Sequence, residues 1–311
     1  MRLYSRREFN IIALGAVTLT VLESAQVLAD DPCAVQHPFM PPRKEFMGQC
    51  PNCGMVRSMW ARTWMTFENS AGKQEVCSFH CLADMAIKSG EKPQSVETAL
   101  YVIPEKMVPA NTAWFVVGSK AKGTMTLNSK IAFPSEKEAE EFTKSCGGKP
   151  QSFSDTFKLA LDELSKEKVM VGQKRIKDGK IVEPVDNKDQ CPVCQMYPAR
   201  YPKNRCQLID KEKAIHHFCS TQCLFQFLKD PKPFVSKDVS PMMIWVTDYP
   251  SGSWISAKTA YFLVGSRVQG PMGQEALAFD KNAEALSLSR QESGDVLMFK
   301  EVSFEKIKPK E

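Results

Sequence analysis

The motif Cys50-Pro51-Asn52-Cys53-Gly54-Met55 returns 141 residues later as Cys191-Pro192-Val193-Cys194-Gln195-Met196, so the chain is built on a repeat. A second cysteine pair follows each copy, as Cys77-Ser78-Phe79-His80-Cys81 and as Cys219-Ser220-Thr221-Gln222-Cys223. Eight of the eleven cysteines therefore stand in two matching sets of four. Thiolates and thioethers are soft ligands, which select Cu(I), Zn(II) or iron–sulfur clusters over hard cations. The pattern predicts a metal-handling protein with two related halves.

The spacing within each set suits a tetrahedral site. Two cysteines separated by two residues can both reach one ion about 2.3 Å away, and four thiolates close a structural zinc site. In the second pair, three intervening residues place both cysteines on one face at a helix start, where the helix N-terminus stabilises thiolate charge. Structural disulfides within each set are the alternative, since cysteines outside the cytoplasm usually pair.

Four methionines recur together with the cysteines. Met55 and Met196 each stand two residues beyond a cysteine, and Met125 and Met272 recur 147 residues apart beside glycines. Thioethers bind Cu(I) well and Zn(II) poorly, so these methionines favour copper. Ordinary core packing is the alternative for all four.

Length and composition indicate two globular domains. The chain has 311 residues, of which 43% are hydrophobic and 25% charged, so it can bury two cores and is not dominated by disorder. A net charge of +5 without a concentrated basic surface gives no reason to expect nucleic acid as a partner. We predict a first unit over residues 46–170, a charge-rich linker over 171–188 and a second unit over 189–306.

The N-terminus resembles an export signal. Ser5-Arg6-Arg7-Glu8-Phe9 precedes an apolar stretch from Ile11 to Leu22, and Val27-Leu28-Ala29 offers small residues for cleavage. This is the twin-arginine form of a bacterial signal, and that pathway moves folded proteins, so a metal can be loaded before export. We predict a signal over residues 1–29, a loose leader over 30–45, and a periplasmic protein without a membrane span after cleavage. An uncleaved membrane anchor is the alternative.

Each unit shows the same order of secondary structure. A hairpin lies between the two cysteine pairs, around Asn69-Ser70-Ala71-Gly72 in the first unit and Asp210-Lys211-Glu212-Lys213 in the second. A helix follows the second pair, and a buried strand comes later, from Trp114 to Gly118 or from Tyr261 to Gly265. The predicted fold class is α+β, with two tandem units that each combine small antiparallel sheets with packed helices.

Together these motifs resemble the NosL family, bacterial accessory proteins implicated in delivering Cu(I) to nitrous oxide reductase. The resemblance rests on Cys-Pro-x-Cys-Gly-Met, the hairpin, the cysteine at a helix start, Trp254-Ile255-Ser256-Ala257 and Gly270-Pro271-Met272-Gly273, over roughly residues 46–306. Gln195 replaces the glycine of the first motif, and Thr124 replaces the proline of the last. The resemblance implies copper contacts from the following residues: Cys53, Met55, Met125, Cys194, Met196 and Met272.

The predicted metal ligands combine the spacing argument with this resemblance. They are Cys50, Cys53, Met55, Cys77, Cys81, Met125, Cys191, Cys194, Met196, Cys219, Cys223 and Met272. Three histidines near the second cysteine pairs are weaker candidates, namely His80, His216 and His217, because imidazole has many other roles. Cys146 and Cys206 are expected to be small buried residues, and Cys33 is expected to be a free thiol in the leader. No pattern of catalytic residues or Gly-rich phosphate loop stands out.

We therefore predict a periplasmic, non-enzymatic Cu(I)-binding protein that acts as a metallochaperone or copper store for a cuproenzyme client. The resemblance implies nitrous oxide reductase as that client. Zn(II) is the alternative metal, in a zinc-stabilised, treble-clef-like interaction module whose metal only holds the fold. A thiol–disulfide oxidoreductase is a third class, and it requires a thioredoxin-like βαβ setting around Cys-x-x-Cys.

Overall fold

A computed structural model describes Cys33 and residues 46–307 of the chain. The predicted export signal and nearly all of the predicted leader lie outside the described residues. Within the described part, no helix combines the length and the apolar character that a membrane crossing requires.

The first unit contains seven strands and four helices within the described residues. Its strands are β1 Met65–Asn69, β2 Gly72–Val76, β3 Gln94–Ala99, β4 Met107–Pro109, β5 Trp114–Val117, β6 Lys130–Phe133 and β7 Lys149–Gln151. Its helices are α1 Arg57–Trp60, α2 Phe79–Ser89, α3 Glu136–Cys146 and α4 Phe153–Lys177.

The second unit repeats this set of strands. They are β8 Cys206–Asp210, β9 Ile215–Phe218, β10 Pro241–Thr247, β11 Trp254–Ser256, β12 Tyr261–Gly270, β13 Gly273–Phe279 and β14 Asp295–Met298. The helices are α5 Thr221–Lys229, α6 Lys232–Val235, α7 Asn282–Glu292 and α8 Phe304–Ile307.

Both units have the same sheet topology. The first unit pairs its strands in the orders β2-β1-β3-β4 and β6-β5-β7, and the second in the orders β9-β8-β10-β11 and β13-β12-β14. All pairings are antiparallel, and the predicted hairpins are present, with Asn69 opposite Gly72 and Ile209 opposite Ile215. The predicted α+β class, with two tandem units of small antiparallel sheets and helices, is confirmed.

Local capping explains where the main helices begin and end. Ser135 accepts a hydrogen bond from the backbone N–H of Glu138 and starts α3, as its capping-box pattern predicts. Helix α4 begins directly after Ser152, whose side chain caps it by accepting from the Asp155 N–H. Helix α2 ends at Gly90, whose left-handed φ of +75° suits a residue without a side chain.

The cysteine sets lie inside the hydrophobic cores. In the first unit Cys50, Cys77 and Cys81 are fully buried among apolar residues such as Trp64 and Leu82. The corresponding cysteines of the second unit are buried in the same way. The sulfur clusters are therefore central to both cores rather than attached to their surfaces.

The expectation of a free thiol at Cys33 is wrong. Cys33 is not a free thiol, because it forms a disulfide with Cys146 at the end of α3, across a sequence separation of 113 residues. Cys146 is buried as expected, but as a disulfide partner. No sequence pattern marks this bond, since neither cysteine has a counterpart in the second unit.

Four charged side chains join the two units in a mostly buried ion-pair network. Lys88 Nζ lies 3.0 Å from Asp84 Oδ2 and 3.1 Å from Asp280 Oδ1 of the second unit. Lys168 Nζ lies 3.1 Å from Asp84 Oδ1 and 2.5 Å from Asp280 Oδ2. Burial opposes the charge on Asp84, but Lys88 and Lys168 hold its pKa well below the usual range. The network is charge-balanced, which permits its burial.

We expect Lys88→Met to lower the free energy of unfolding by about 3 kcal/mol, because it leaves buried carboxylates without their main partner. Chemical denaturation of the wild type and the variant measures this loss. The matched control is Lys144→Met, since Lys144 pairs with Glu141 on the surface, where solvent screening leaves an ion pair with little effect on stability. Equal effects of the two substitutions would contradict a stabilising network at Lys88.

Candidate metal centres

The first four-cysteine set converges on one point. The sulfur atoms of Cys50, Cys53, Cys77 and Cys81 all lie within 4.8 Å of one another. Cys77 Sγ is 3.4 Å from Cys53 Sγ and 3.6 Å from Cys81 Sγ. Four sulfurs bonded to one tetrahedral ion at about 2.3 Å would stand about 3.8 Å apart. The arrangement therefore fits a single soft metal ion.

The second set forms an equivalent cluster. The sulfur atoms of Cys191, Cys194, Cys219 and Cys223 also lie within 4.8 Å of one another. Cys219 Sγ is 3.3 Å from Cys194 Sγ and 3.8 Å from Cys223 Sγ. All eight cluster cysteines are free thiols, so the alternative of disulfides within each set is not what the structure contains.

A tight backbone turn positions the first two cysteines of each cluster. The Cys50 N–H donates to the Met55 carbonyl at 2.8 Å, and the Gly54 N–H donates to the Cys50 carbonyl at 2.8 Å. In the second unit, Cys191 and Gln195 make the same two bonds at 2.8 and 2.9 Å. The turn requires a left-handed residue, with φ of +80° at Gly54 and +63° at Gln195. The glycine of Cys-Gly-Met thus has a conformational role, which Gln195 performs under strain.

The hairpin and the following helix supply the other two cysteines. Cys77 and Cys219 directly follow the second hairpin strand, and Cys81 and Cys223 lie in the first turn of α2 or α5. In the second unit the Cys223 N–H donates to the Ser220 hydroxyl at 3.1 Å and caps the helix. The positive end of each helix dipole therefore faces the cluster and favours thiolate.

A methionine lies beside the first cluster. Met125 Sδ is 4.0 Å from Cys77 Sγ, and the loop that carries it is tied to the cluster by hydroxyl groups. The Thr63 and Thr124 hydroxyls are 2.7 Å apart, and Thr63 also bonds the Cys77 carbonyl at 2.7 Å. Thr124, which replaces the proline of Gly-Pro-Met-Gly, thus anchors the loop. No sequence motif marks Thr63, so its contact with the loop is evident only in the structure.

The other predicted methionines pack against the hydrophobic cores that contain the cysteine clusters. Met55 packs against the first core, and Met196 and Met272 pack against the second; all three are partly buried. In each cluster three cysteines are buried, whereas Cys53 and Cys194 are only partly so. In each centre, therefore, three cysteines are shielded from solvent and the fourth is more accessible.

Ionisation within the clusters is strongly uneven. Burial opposes ionisation of Cys50, but hydrogen bonds from Cys53, Cys77 and Cys81 outweigh it and hold the pKa of Cys50 well below its ordinary value. Burial, together with hydrogen bonds to Cys50 and Cys53, raises the pKa of Cys77 well above that value. Four adjacent thiols, three of them buried, cannot all ionise alone, so a bound cation is needed to stabilise the fully deprotonated set.

The histidines and the remaining cysteine are not part of either cluster. His80 Nδ1 lies 2.9 Å from Glu167 Oε2, and His216 Nε2 lies 3.4 Å from Asp210 Oδ2. His217 is buried, and burial lowers its pKa. Cys206 is buried and donates to the Asn204 carbonyl at 3.3 Å. Among the described residues, the only groups of three or more metal-ligating residues are the two cysteine sets.

Fold and site together define a protein with two sulfur-rich centres in tandem α+β units. The chain belongs to the NosL family, whose family model matches residues 47–159 and 182–307. The predicted family and the predicted pair of tandem NosL units are thereby confirmed.

Individual relatives match about one unit of the chain. The copper-binding lipoprotein NosL of Stutzerimonas stutzeri is 28% identical over 131 residues, 39% of this chain and 66% of the relative, so the match spans just under two thirds of its length. The crystal structure of the copper chaperone NosL from Shewanella denitrificans is 28% identical and covers 40% of this chain and 96% of its own, at a TM-score of 0.35. The solution structure of apo-NosL from Achromobacter cycloclastes is 24% identical over 33% of this chain and 87% of its own, at a TM-score of 0.27.

The thiol inventory is directly measurable. We expect nine reactive thiols per chain after denaturation without reductant, because one disulfide removes two of the eleven cysteines. Maleimide labelling of anaerobically purified, metal-stripped protein followed by intact-mass measurement counts them. A count near one would mean that both clusters are oxidised to disulfides.

Exchanging the left-handed residues of the two turns should change stability in opposite directions. We expect Gly54→Gln to lower the free energy of unfolding by about 1 kcal/mol, since a side chain strains this conformation. Gln195→Gly should raise it by about 0.5 kcal/mol, because relief of strain is partly offset by glycine's greater freedom in the unfolded chain. Urea denaturation of the metal-free proteins measures both. Shifts of the same sign would show that the turn does not impose this conformation.

Proposed function

We propose that this chain is a periplasmic, non-enzymatic Cu(I)-binding protein that acts as a metallochaperone or copper store for a cuproenzyme. Nitrous oxide reductase is the client that the family resemblance suggests. The observation that carries the proposal is the Met125 thioether, 4.0 Å from a cluster thiol. Thioethers are poor ligands for Zn(II) and good ligands for Cu(I). The relatives described as a copper-binding lipoprotein and a copper chaperone support the same metal.

The geometry also suits a carrier. Cys53 and Cys194 are the accessible members of otherwise buried clusters, and an acceptor protein can approach the metal from their side. Passing an ion through an intermediate with shared ligands requires such an accessible ligand. Each unit, over residues 46–170 and 189–306, would act as one copper-binding domain.

Export to the periplasm fits the disposition of the cysteines. The Cys33–Cys146 disulfide is the kind of bond that persists in an oxidising compartment. The eight cluster thiols would resist oxidation there if metal is loaded before export by the twin-arginine pathway. The disulfide and the twin-arginine motif are independent supports for this location.

A zinc-stabilised interaction module is the second candidate. Sulfur separations of 3.3 to 3.8 Å match a tetrahedral tetrathiolate zinc site. In that case the metal would hold the fold, and methionine would contribute only packing. A thiol–disulfide oxidoreductase is less favoured, because each Cys-x-x-Cys in the described structure lies in a turn before an antiparallel hairpin.

Metal affinities of methionine variants separate the first two functions. We expect the wild type to bind Cu(I) at both clusters in anaerobic titrations against a competing chelator. Replacing Met125 and Met272 by leucine should lower Cu(I) affinity about 10-fold and leave Zn(II) affinity unchanged, because only Cu(I) uses the thioether. The control replaces exposed Met47 and Met242 by leucine and should change neither affinity.

Elemental analysis of anaerobically purified protein gives a second measurement. Copper in the wild type that is lost in the Met125 and Met272 double variant supports the carrier. If both proteins contain only zinc and take up no Cu(I) in the titration, the copper proposal is wrong and the zinc-stabilised interaction module is supported instead.

A further inference from the structure

A fully buried carboxylate in the first unit bridges the methionine loop and the cysteine helix. Glu167 on α4 has no exposed surface. Its Oε1 accepts from the Thr126 hydroxyl at 2.5 Å and from the Leu127 N–H at 3.1 Å, the two residues that follow Met125. Its Oε2 lies 2.9 Å from Nδ1 of His80, the neighbour of Cys81. One side chain therefore fixes the distance between the methionine loop and the helix that bears the cysteine.

The Met125 loop needs this support. Met125 has a φ of +55°, a left-handed conformation that is unfavourable for a residue with a side chain. Such a conformation persists only where surrounding contacts enforce it. The loop also approaches itself closely, since a Cβ on Gly123 would lie 2.4 Å from Cγ2 of Thr126. The glycine thus lets Thr126 reach its position beside Glu167.

The second unit reaches the same arrangement with a different residue. Glu275, on β13, is 2% exposed, and its Oε2 accepts from the Thr221 hydroxyl at 2.7 Å and the Gln222 N–H at 3.3 Å, both at the start of α5. Burial raises the pKa of Glu275 to about 7, although hydrogen bonds from Thr221, Gln222 and the Met272 N–H oppose that shift. A Cβ on Gly270 would lie 2.2 Å from Cγ of Glu275, so this glycine leaves space for the carboxylate.

The two glutamates come from different parts of their units. Position 128, which corresponds to Glu275 at the repeat distance of 147 residues, is an asparagine. The first unit draws its carboxylate from the long helix α4 after β7, whereas β14 of the second unit is followed within the described residues by the short α8. Each unit thus has a buried carboxylate between its methionine loop and its cysteine helix, although no repeat position supplies it in both. A shared structural requirement explains this better than shared sequence does.

We propose that Glu167 and Glu275 are positioning residues that hold the Met125 and Met272 loops against the clusters and so favour Cu(I) over Zn(II). This inference rests on the proposed copper function. Zn(II) is satisfied by four thiolates, whereas Cu(I) also gains from a thioether. Loss of the carboxylate frees the methionine loop. The affinity for Cu(I) then falls while the affinity for Zn(II) does not, so the ratio of the two affinities changes.

Glu167→Gln in the full-length chain tests the first unit. We expect its Cu(I) affinity in that unit to fall about 10-fold, the usual effect of losing a residue that orients a ligand, with Zn(II) affinity unchanged. Carbon-13 methyl signals of Met125 and Met272 report the occupancy of each unit separately during anaerobic titration with Cu(I) or Zn(II) against a chelator. The second unit is the internal control and should keep both affinities. Glu275→Gln should instead lower the Cu(I) affinity of the second unit and leave both affinities of the first unit unchanged.

Two further variants separate positioning from general structure. Thr126→Val removes the hydroxyl that binds Glu167 while keeping the side-chain shape, and it should reproduce the Cu(I)-specific loss even if Glu167→Gln fails to fold. In a Met125→Leu background, where the methyl signal of Met55 in the same core reports the first unit instead, Glu167→Gln should cause no additional loss of Cu(I) affinity. Additive losses, or equal losses for Cu(I) and Zn(II), would overturn the positioning role. If the wild type binds Cu(I) and the variants keep the same ratio of Cu(I) to Zn(II) affinity, this inference is wrong but the proposed function stands. If the wild type does not bind Cu(I), the proposed function is wrong as well.

Discussion

Four sulfur atoms converge at the centre of each unit, and this convergence governs how the surrounding strands and helices are arranged. Three separate elements must meet to produce it: a tight turn, the end of a hairpin and the first turn of a helix. Because the thiols are buried among apolar side chains, the hydrophobic core can form only around them. A bound cation would join these elements directly, so metal affinity and folding stability are linked in this protein.

A comparison of the two units shows which features around the cysteine cluster can differ while the cluster itself is retained. Both retain the sulfur set, the backbone turn and the helix start, but the left-handed residue is Gly54 in one and Gln195 in the other. The methionine loop is anchored through Thr124 in the first unit, where the second has Pro271. Geometry around the sulfurs is thus kept while the residues that enforce it differ. The two centres therefore need not have equal affinities.

The sequence was sufficient for the features that local patterns encode. Repeated Cys-x-x-Cys motifs predicted the two units, and alternating strands with turn residues predicted hairpins such as Met65–Val76. Glu167, however, lies 87 residues from His80 in the chain, and Lys88 and Asp280 belong to different units. Such contacts leave no periodic or spacing signal, because each partner is an ordinary charged residue in its own segment. The Cys33–Cys146 disulfide could not be predicted either, because it joins two cysteines 113 residues apart that have no counterparts in the second unit.

A tetrathiolate cluster and a transferable metal make opposing demands. Four thiolates around one ion form a closed site that releases metal slowly, whereas a carrier needs a ligand that can leave. Partial exposure of Cys53 and Cys194, with a methionine at the cluster edge, offers a physical solution. A neutral thioether can replace an outgoing thiolate without the charge repulsion that another thiolate would bring. In the proposed carrier the methionine would therefore matter most during exchange, when the coordination set is incomplete, and its placement by a buried carboxylate would keep it close enough to replace the outgoing thiolate.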